Sequence, residues 1–304
     1  MSSAQPSALS DEAWRRSGLS QDALKELSAV ARAAAEAGAQ ELRSLFGHLE
    51  RVREKGRAGD LVTEADLAAE HAVLQVLSQH TPDVDVLAEE SGQQQKGGTG
   101  LQWCVDPLDG TTNYAHGYPF YGTSIGLTWR GLPLLGALAV PALQQLYWAA
   151  PGLGAWCNDQ ALRVSGCDDL AQSLLVTGFA YDRHTRLDNN YAEFAYFTHR
   201  THGVRRGGAA AVDLAFVASG VLDGYWERGL SPWDLAAGVV LVEQAGGVVC
   251  AYDGSEAQLS EGRLIACTPG LRDPLIAGLA ACGPLTGASF GAPELDQGAG
   301  GSAP

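Results

Sequence analysis

A layered α/β fold is predicted for this 304-residue chain by three observations. Apolar residues recur at helical spacing near the N-terminus, short apolar runs broken by turn residues fill the middle, and strand-like segments alternate with helix-like ones through the second half. The composition can carry such a fold, since 46% hydrophobic and 18% charged residues leave enough apolar material for a sizeable core. Lys plus Arg number 20 against 35 Asp plus Glu, a formal net charge of -15, so the surface field repels nucleic-acid phosphates and anionic lipid headgroups. Neither a nucleic-acid nor a membrane partner is expected.

Residues 1–19 are polar and unpatterned and are expected to be flexible. Ser20 is placed to cap a helix from about Asp22 to Phe46, along which Leu24, Leu27, Val30, Ala34 and Leu42 form an apolar stripe. Thr63-x-x-Asp66 is a capping-box signature before the periodic stretch Leu67 to Leu77, which ends at His80-Thr81-Pro82. A short strand, Asp85 to Ala88, runs into Glu89 and Glu90. Ser91 to Gly100 is Gln- and Gly-rich and reads as a mobile loop before the apolar run Leu101 to Val105.

From Phe120 to Ser165 the pattern is an antiparallel meander with turns at Arg130-Gly131, Pro151-Gly152 and Asn158-Asp159. Beyond it, strand-like Leu174–Thr177, Leu222–Trp226 and Gly247–Ala251 interleave with helix-like Tyr191–His202, Ala209–Ser219 and Pro232–Ala245. The expected organisation is one domain over residues 20–282, with an α+β half to about 165 and an α/β half from about 166. Gly283 to Pro304, rich in Gly, Ala and Pro, reads as a disordered tail. Six scattered cysteines without CxxC spacing read as free thiols, and no apolar leader opens the chain, so a soluble cytoplasmic protein is expected.

Chemistry concentrates in Trp103-Cys-Val-Asp106-Pro-Leu-Asp109-Gly-Thr-Thr-Asn113. An apolar strand delivers Asp106 to its end, Pro107 breaks the strand, and the turn lets Asp109 face back while Gly110 and Thr111 expose N–H groups. Two carboxylates at one spot need a proton or a cation between them, and hard oxygen ligands suit Mg²⁺. The same D-x-x-D-G pattern also fits an Asx turn. Glu89 ends a strand that could lie beside this one, although Glu89-Glu90 also fits a surface pair. Asp234 follows Ser231-Pro232-Trp233 and opens the all-apolar stretch Leu235–Val242, so it is either a dipole-compensating N3 carboxylate or a ligand at the edge of a core. Glu227 and Asp223, flanking the preceding strand, are further candidates. Arg205 and Arg206 could meet a second anionic group.

Taken together, Asp60-Leu-Val-Thr-x-x-Asp66, Glu89-Glu-Ser91, Asp106-Pro-Leu-Asp-Gly-Thr-Thr-Asn113 and Trp233-Asp-Leu-Ala-Ala-Gly238 with Glu243-x-Ala-Gly-Gly247 resemble the inositol monophosphatase family in order and spacing. The resemblance spans about Ser20 to Cys282. It implies a five-layer αβαβα sandwich, usually a homodimer, that hydrolyses small phosphate monoesters such as myo-inositol 1-phosphate, is lithium-sensitive and holds roughly two to three Mg²⁺ per site.

Carried over residue by residue, the resemblance implies that Glu89, Asp106 and the Leu108 carbonyl hold one metal. Asp106, Asp109 and Asp234 hold a second, and Glu89 with water a third. Thr111, held by Asp66, would activate the attacking water. Asp109, Gly110, Thr111 and Thr112 would contact substrate at the phosphate end, and Gly208, Ala209, Ala210 and Glu227 on the alcohol side. Lys55 matches a lysine near the site in relatives. Ala209 stands where many relatives carry Ser or Thr, which weakens the link to inositol itself.

Rival readings remain within and outside the family. Fructose-1,6-bisphosphatase, histidinol-phosphatase and 3′-phosphoadenosine-5′-phosphate phosphatase activities share the implied metal ligands, and a regulatory protein on this scaffold is a further alternative. Gly122-Thr-Ser124-Ile-Gly126 matches the nucleophile elbow of α/β-hydrolases, but that elbow requires a strand, a sharp turn and a helix, whereas Tyr121 to Trp129 reads as a continuous strand into the Arg130-Gly131 turn. A haloacid-dehalogenase-type aspartate nucleophile would need D-x-D rather than the spacing seen here.

Overall fold

The computed structural model describes residues 8–49, 51–55 and 60–283. Two helices, α1 (Leu9–Ser17) and α2 (Gln21–Leu45), precede a hairpin of β1 (Val52–Glu54) and β2 (Leu61–Thr63) and a third helix, α3 (Glu64–His80). Strands β3 (Asp85–Ala88), β4 (Gly92–Gln94) and β5 (Leu101–Asp109) lead into the short α4 (Thr111–Ala115). The meander follows as β6 (Gly122–Trp129), β7 (Leu132–Val140), β8 (Gln145–Ala150), β9 (Gly154–Cys157) and β10 (Gln160–Ala161). The second half runs β11 (Leu174–Thr177), α5 (Tyr191–Thr198), β12 (Gly203–Arg205), α6 (Ala210–Ala218), β13 (Gly224–Arg228), α7 (Pro232–Gln244), β14 (Val248–Cys250), β15 (Arg263–Cys267) and α8 (Arg272–Ala281).

An eight-stranded sheet, ordered β10-β9-β8-β7-β6-β5-β3-β4, and a five-stranded sheet, ordered β12-β11-β13-β15-β14, sandwich α6 and α7. Helices α2 and α3 cover the outer face of the large sheet, and α5 and α8 flank the small one, which completes the five αβαβα layers. Helix α7 is apolar on every side because both its faces are covered, and Leu235 to Val242 are all buried. Each large apolar side chain so buried contributes about 1.5–3 kcal/mol.

Gly126 and Gly136 face each other across β6 and β7, and a Cβ at either would stand 2.4 Å from Ala236 Cβ or Ala237 Cα of α7. The two glycines let α7 lie directly on the sheet, and that approach brings its N-terminus to the end of β5. The Arg130-Gly131 turn joins β6 to β7 with both residues at positive φ, 49° and 82°, the backbone twist a two-residue hairpin needs.

Two expectations change. The segment expected to be flexible over 1–19 contains α1 from Leu9 onward, with residues 1–7 outside the described set. Its first N–H groups are capped by a distant carboxylate: Glu243 of α7 accepts from Leu9 N at 2.7 Å, Ser10 N at 2.9 Å and Ser10 Oγ at 2.6 Å. No local signal encodes such a cap. The segment 91–100, expected to be a mobile loop, forms β4, a short polar strand pairing with the edge of β3. Gly122 to Gly126 lies inside the continuous strand β6 with Ser124 buried, so it forms no nucleophile elbow. Beyond Gly283 the expected tail falls outside the described residues.

Candidate active site

The site assembles where β3 and β5 end side by side. The strands are parallel with Ala88 opposite Val105, and Glu89 N donates to Val105 O at 3.0 Å, which sets Glu89 beside Asp106. Side chains alternate along a strand, so residues three apart would face opposite ways. A bulge between Asp106 and Asp109 cancels that alternation, because Asp106 pairs with Ser124 and Asp109 with Gly122. Pro107 lacks the N–H a regular ladder would use, its carbonyl accepts from Thr123 Oγ1 at 2.9 Å, and Asp106 Oδ1 accepts from Leu108 N at 3.0 Å. Both carboxylates therefore turn to the same side.

Asp109 accepts from Ala210 N and Ala211 N at 2.9 Å each and from Val212 N at 3.2 Å, which ties β5 to the first turn of α6. Asp234, in the first turn of α7, accepts from Ser231 N at 2.6 Å. The capping contact leaves Asp234 lining the cleft.

Burial, then the negative charges of Glu89, Asp109 and Asp234, hold the Asp106 carboxyl well above the ordinary range. Glu89 is likewise raised, by burial first, and Asp109 and Asp234 are pushed up to about 7 by burial. Glu89 and Asp234 each lie close enough to the Asp106 carboxyl to shift its protonation and their own. Contacts between carboxyls need protons, and a divalent cation replaces such protons while satisfying the same oxygens.

No three acidic, His or Cys side chains among the described residues converge on one cation-sized point. The donor chemistry nonetheless fits a hard cation, since Glu89, Asp106, Asp109, Asp234 and the Leu108 carbonyl offer only oxygen. Lys55 Nζ pairs with Glu89 Oε1 at 2.8 Å and with Glu90 Oε1. Burial disfavours that ammonium, but the two glutamates outweigh it and raise its pKa above the usual lysine value.

Asp66 is fully buried at the start of α3. Its Oδ2 accepts from Thr63 N at 2.8 Å and Thr63 Oγ1 at 2.6 Å, and its Oδ1 faces the Thr111 hydroxyl at 3.0 Å. Burial raises its pKa against the pull of those hydrogen bonds. Gly110 precedes α4 at φ 92°, and a Cβ there would come within 3.0 Å of Phe120 O and 3.1 Å of Ala209 Cβ. Only glycine fits.

One cleft of about 240 Å³ brings together Glu89, Asp106, Leu108, Asp109, Gly110, Thr111, Thr112, Gly208, Ala209, Ala210, Glu227 and Asp234, with Asp66 directly behind Thr111. Asp223 is elsewhere: its carboxylate accepts from Leu174 N at 2.6 Å, at the opposite ends of β11 and β13 from Thr177 and Glu227. Arg206 lines the cleft, whereas Arg205 is exposed on β12. Sequence reasoning missed the wall opposite, Gly178 to Tyr181, whose one signal is a glycine directly after β11.

A model of the family described as "Inositol monophosphatase family" matches residues 23–283. The chain is 52% identical over 252 residues to the inositol-1-monophosphatase of Synechocystis sp., covering 83% of this chain and 88% of that protein. It is 42% identical over 214 residues to the Nus factor SuhB of Pseudomonas aeruginosa, covering 69% and 79%. The solved inositol monophosphatase from Anabaena (Nostoc) sp. superposes with a TM-score of 0.79 at 45% identity, over 86% of this chain and 98% of that one. Among the described residues no helix is long and apolar enough to cross a membrane.

Proposed function

We propose, from the premise that this chain belongs to the inositol monophosphatase family, that it is a Mg²⁺-dependent phosphomonoesterase acting on a small polyol phosphate, most simply myo-inositol 1-phosphate. The chain is a phosphoric monoester hydrolase in this reading. The observation that carries it is the Thr111–Asp66 hydrogen bond facing a buried carboxylate cluster in one cleft.

Glu89, Asp106, Asp109, Asp234 and the Leu108 carbonyl would hold the metal. Bound there, Mg²⁺ supplies the positive charge that an acidic cleft lacks for a phosphate dianion and for the departing alkoxide. Asp66 Oδ1 accepts from the Thr111 hydroxyl, so as Thr111 Oγ1 takes a proton from the attacking water its own proton would pass to the Asp66 carboxylate. The water oxygen bonds to phosphorus, the ester P–O bond breaks with its electron pair going to the leaving oxygen, and that alkoxide takes a proton from solvent water. The N–H groups of Gly110 and Thr111, with Thr112, bind phosphate oxygens. Gly208, Ala209, Ala210 and Glu227 face the alcohol, and Ala209 offers it no hydroxyl. Lithium inhibition, a homodimer and a cytoplasmic location accompany this reading.

The test is phosphate release from inositol 1-phosphate, fructose 1,6-bisphosphate, histidinol phosphate and 3′-phosphoadenosine 5′-phosphate with Mg²⁺, with EDTA and with added Li⁺. Turnover of inositol 1-phosphate that requires Mg²⁺ and falls with Li⁺ is expected. EDTA-insensitive turnover, or none of any substrate, overturns the assignment. In the latter case a partner-binding role, suggested by the likeness to a Nus factor, becomes the leading reading.

A further inference from the structure

Arg228 ends β13 at 8% exposure, directly after Glu227, and nothing in the proposed reaction uses it. It stands opposite Arg263 in the antiparallel β13–β15 pair, an arrangement in which like charges repel. Two aspartates from the 178–190 loop face the pair, one of them, Asp182, also binding Arg186 Nε through Oδ2 at 2.9 Å. Arg228 Nη2 binds Asp182 Oδ1 at 2.9 Å, Arg228 Nε faces Asp188 Oδ1 at 3.5 Å, and Arg263 Nη1 binds Asp188 Oδ2 at 3.1 Å.

The base of this loop is closed separately. Asn190 Nδ2 donates to Gly178 O at 2.6 Å and Thr177 Oγ1 at 2.8 Å, while Trp226 Nε1 donates to Asn190 Oδ1 at 2.6 Å. Between base and ion pairs the loop carries the cleft wall, and it packs on β13 with no slack. A Cβ at Gly178 would lie 2.0 Å from Glu227 Oε1, and one at Gly229 would lie 2.6 Å from Ala180 Cβ.

We infer that Arg228 is a positioning residue. Through Asp182 and Asp188 it holds the 178–190 loop against β13 and so sets the distance between the Phe179–Tyr181 wall and Glu227, which selects the size of the alcohol. This inference rests on the phosphomonoesterase reading for its kinetic consequence, but not for its structural one. Cationic side chains at the ends of two paired strands would otherwise be a cost; paired with the loop, they hold its cleft-lining segment from outside the cleft.

The test compares wild type with Arg228→Met, which keeps the aliphatic stem, and with Asp182→Asn, which leaves β13 untouched should the first variant fold poorly. With Mg²⁺ and inositol 1-phosphate, both variants are expected to raise KM about five- to tenfold while kcat stays within about twofold. The KM for p-nitrophenyl phosphate, whose flat leaving group makes little use of the wall, should change less. Trypsin should cut after Arg183 faster in both variants than in wild type; Arg186 is not read, because its own ion pair with Asp182 is lost in Asp182→Asn. Unchanged KM and unchanged cleavage, or equal losses of kcat on both esters, overturn the clamp. An inactive wild type whose loop is still opened by Asp182→Asn overturns the phosphatase reading and leaves the clamp standing.

Discussion

The Thr111 hydroxyl lies 3.0 Å from Asp66 Oδ1, joining the loop that ends β5 to the first turn of α3. Asp66 is held from its other oxygen by Thr63, so Thr111 meets an acceptor that cannot turn away. Thr111→Ala and Asp66→Asn are each expected to lower kcat by about 10²–10⁴ with a small change in KM, the range for loss of a positioned proton acceptor. Steady-state kinetics of phosphate release check this, and a Thr111→Ala enzyme within about threefold of wild type would remove the hydroxyl from the reaction.

Metal binding should be visible without turnover. Cation binding to the carboxylate cluster stabilises the folded state alone, by about 2.7 kcal/mol at a hundredfold excess over Kd. The melting temperature is expected to rise when Mg²⁺ replaces EDTA. Asp106→Asn should abolish most of that rise, and a full rise in that variant would disprove the ligand assignment.

Asp213 of α6 is 1% exposed, and neither carboxyl oxygen has a hydrogen-bond partner among the described residues. Burial, then Glu227 and Asp109, hold its pKa well above the ordinary value of about 3.9. The folded state therefore keeps this proton at pH values where the unfolded chain has released it. Stability contributed by that difference is present at low pH and declines as pH rises through the window above about 4. In saturating Mg²⁺, Asp213→Asn is expected to flatten the fall in melting temperature between mildly acidic and mildly alkaline pH. An unaltered slope would show that another group carries it.

Gly178→Ala should disable the site through contact alone. The added Cβ would meet the Glu227 carboxylate at 2.0–2.3 Å, so the loop or Glu227 must move, at about 1–3 kcal/mol of stability for overpacking. Gly166→Ala meets nothing within 4 Å and is the matched control, expected within about 0.5 kcal/mol of wild type. Denaturant melts and the KM for inositol 1-phosphate distinguish the two. Equal behaviour would mean that Gly178 tolerates a methyl group.

Much of the fold was legible because its signals are local. Thr63-x-x-Asp66 starts α3, Arg130-Gly131 turns β6 into β7, and the apolar run after Asp234 is a helix buried between sheets. Helix α1 was not legible because its cap, Glu243, lies near the other end of the chain. Strand β4 was hidden by its polar residues, which an edge strand tolerates and a central one would not.

By itself the sequence determined the chemistry: hard carboxylate donors at strand and helix ends, a hydroxyl beside them, and the family to which such spacing belongs. Tertiary structure alone decided which of those groups meet. The bulge at Pro107-Leu108 turns Asp106 and Asp109 to one side, and the β3–β5 register sets Glu89 beside them. Asp223 is left to knit the far end of the small sheet, and Arg228 is brought against Asp182 of the 178–190 loop. Residue type fixes what a side chain can bond through its own atoms and nearest neighbours, whereas convergence depends on pairings between segments far apart in the chain, which no local window contains.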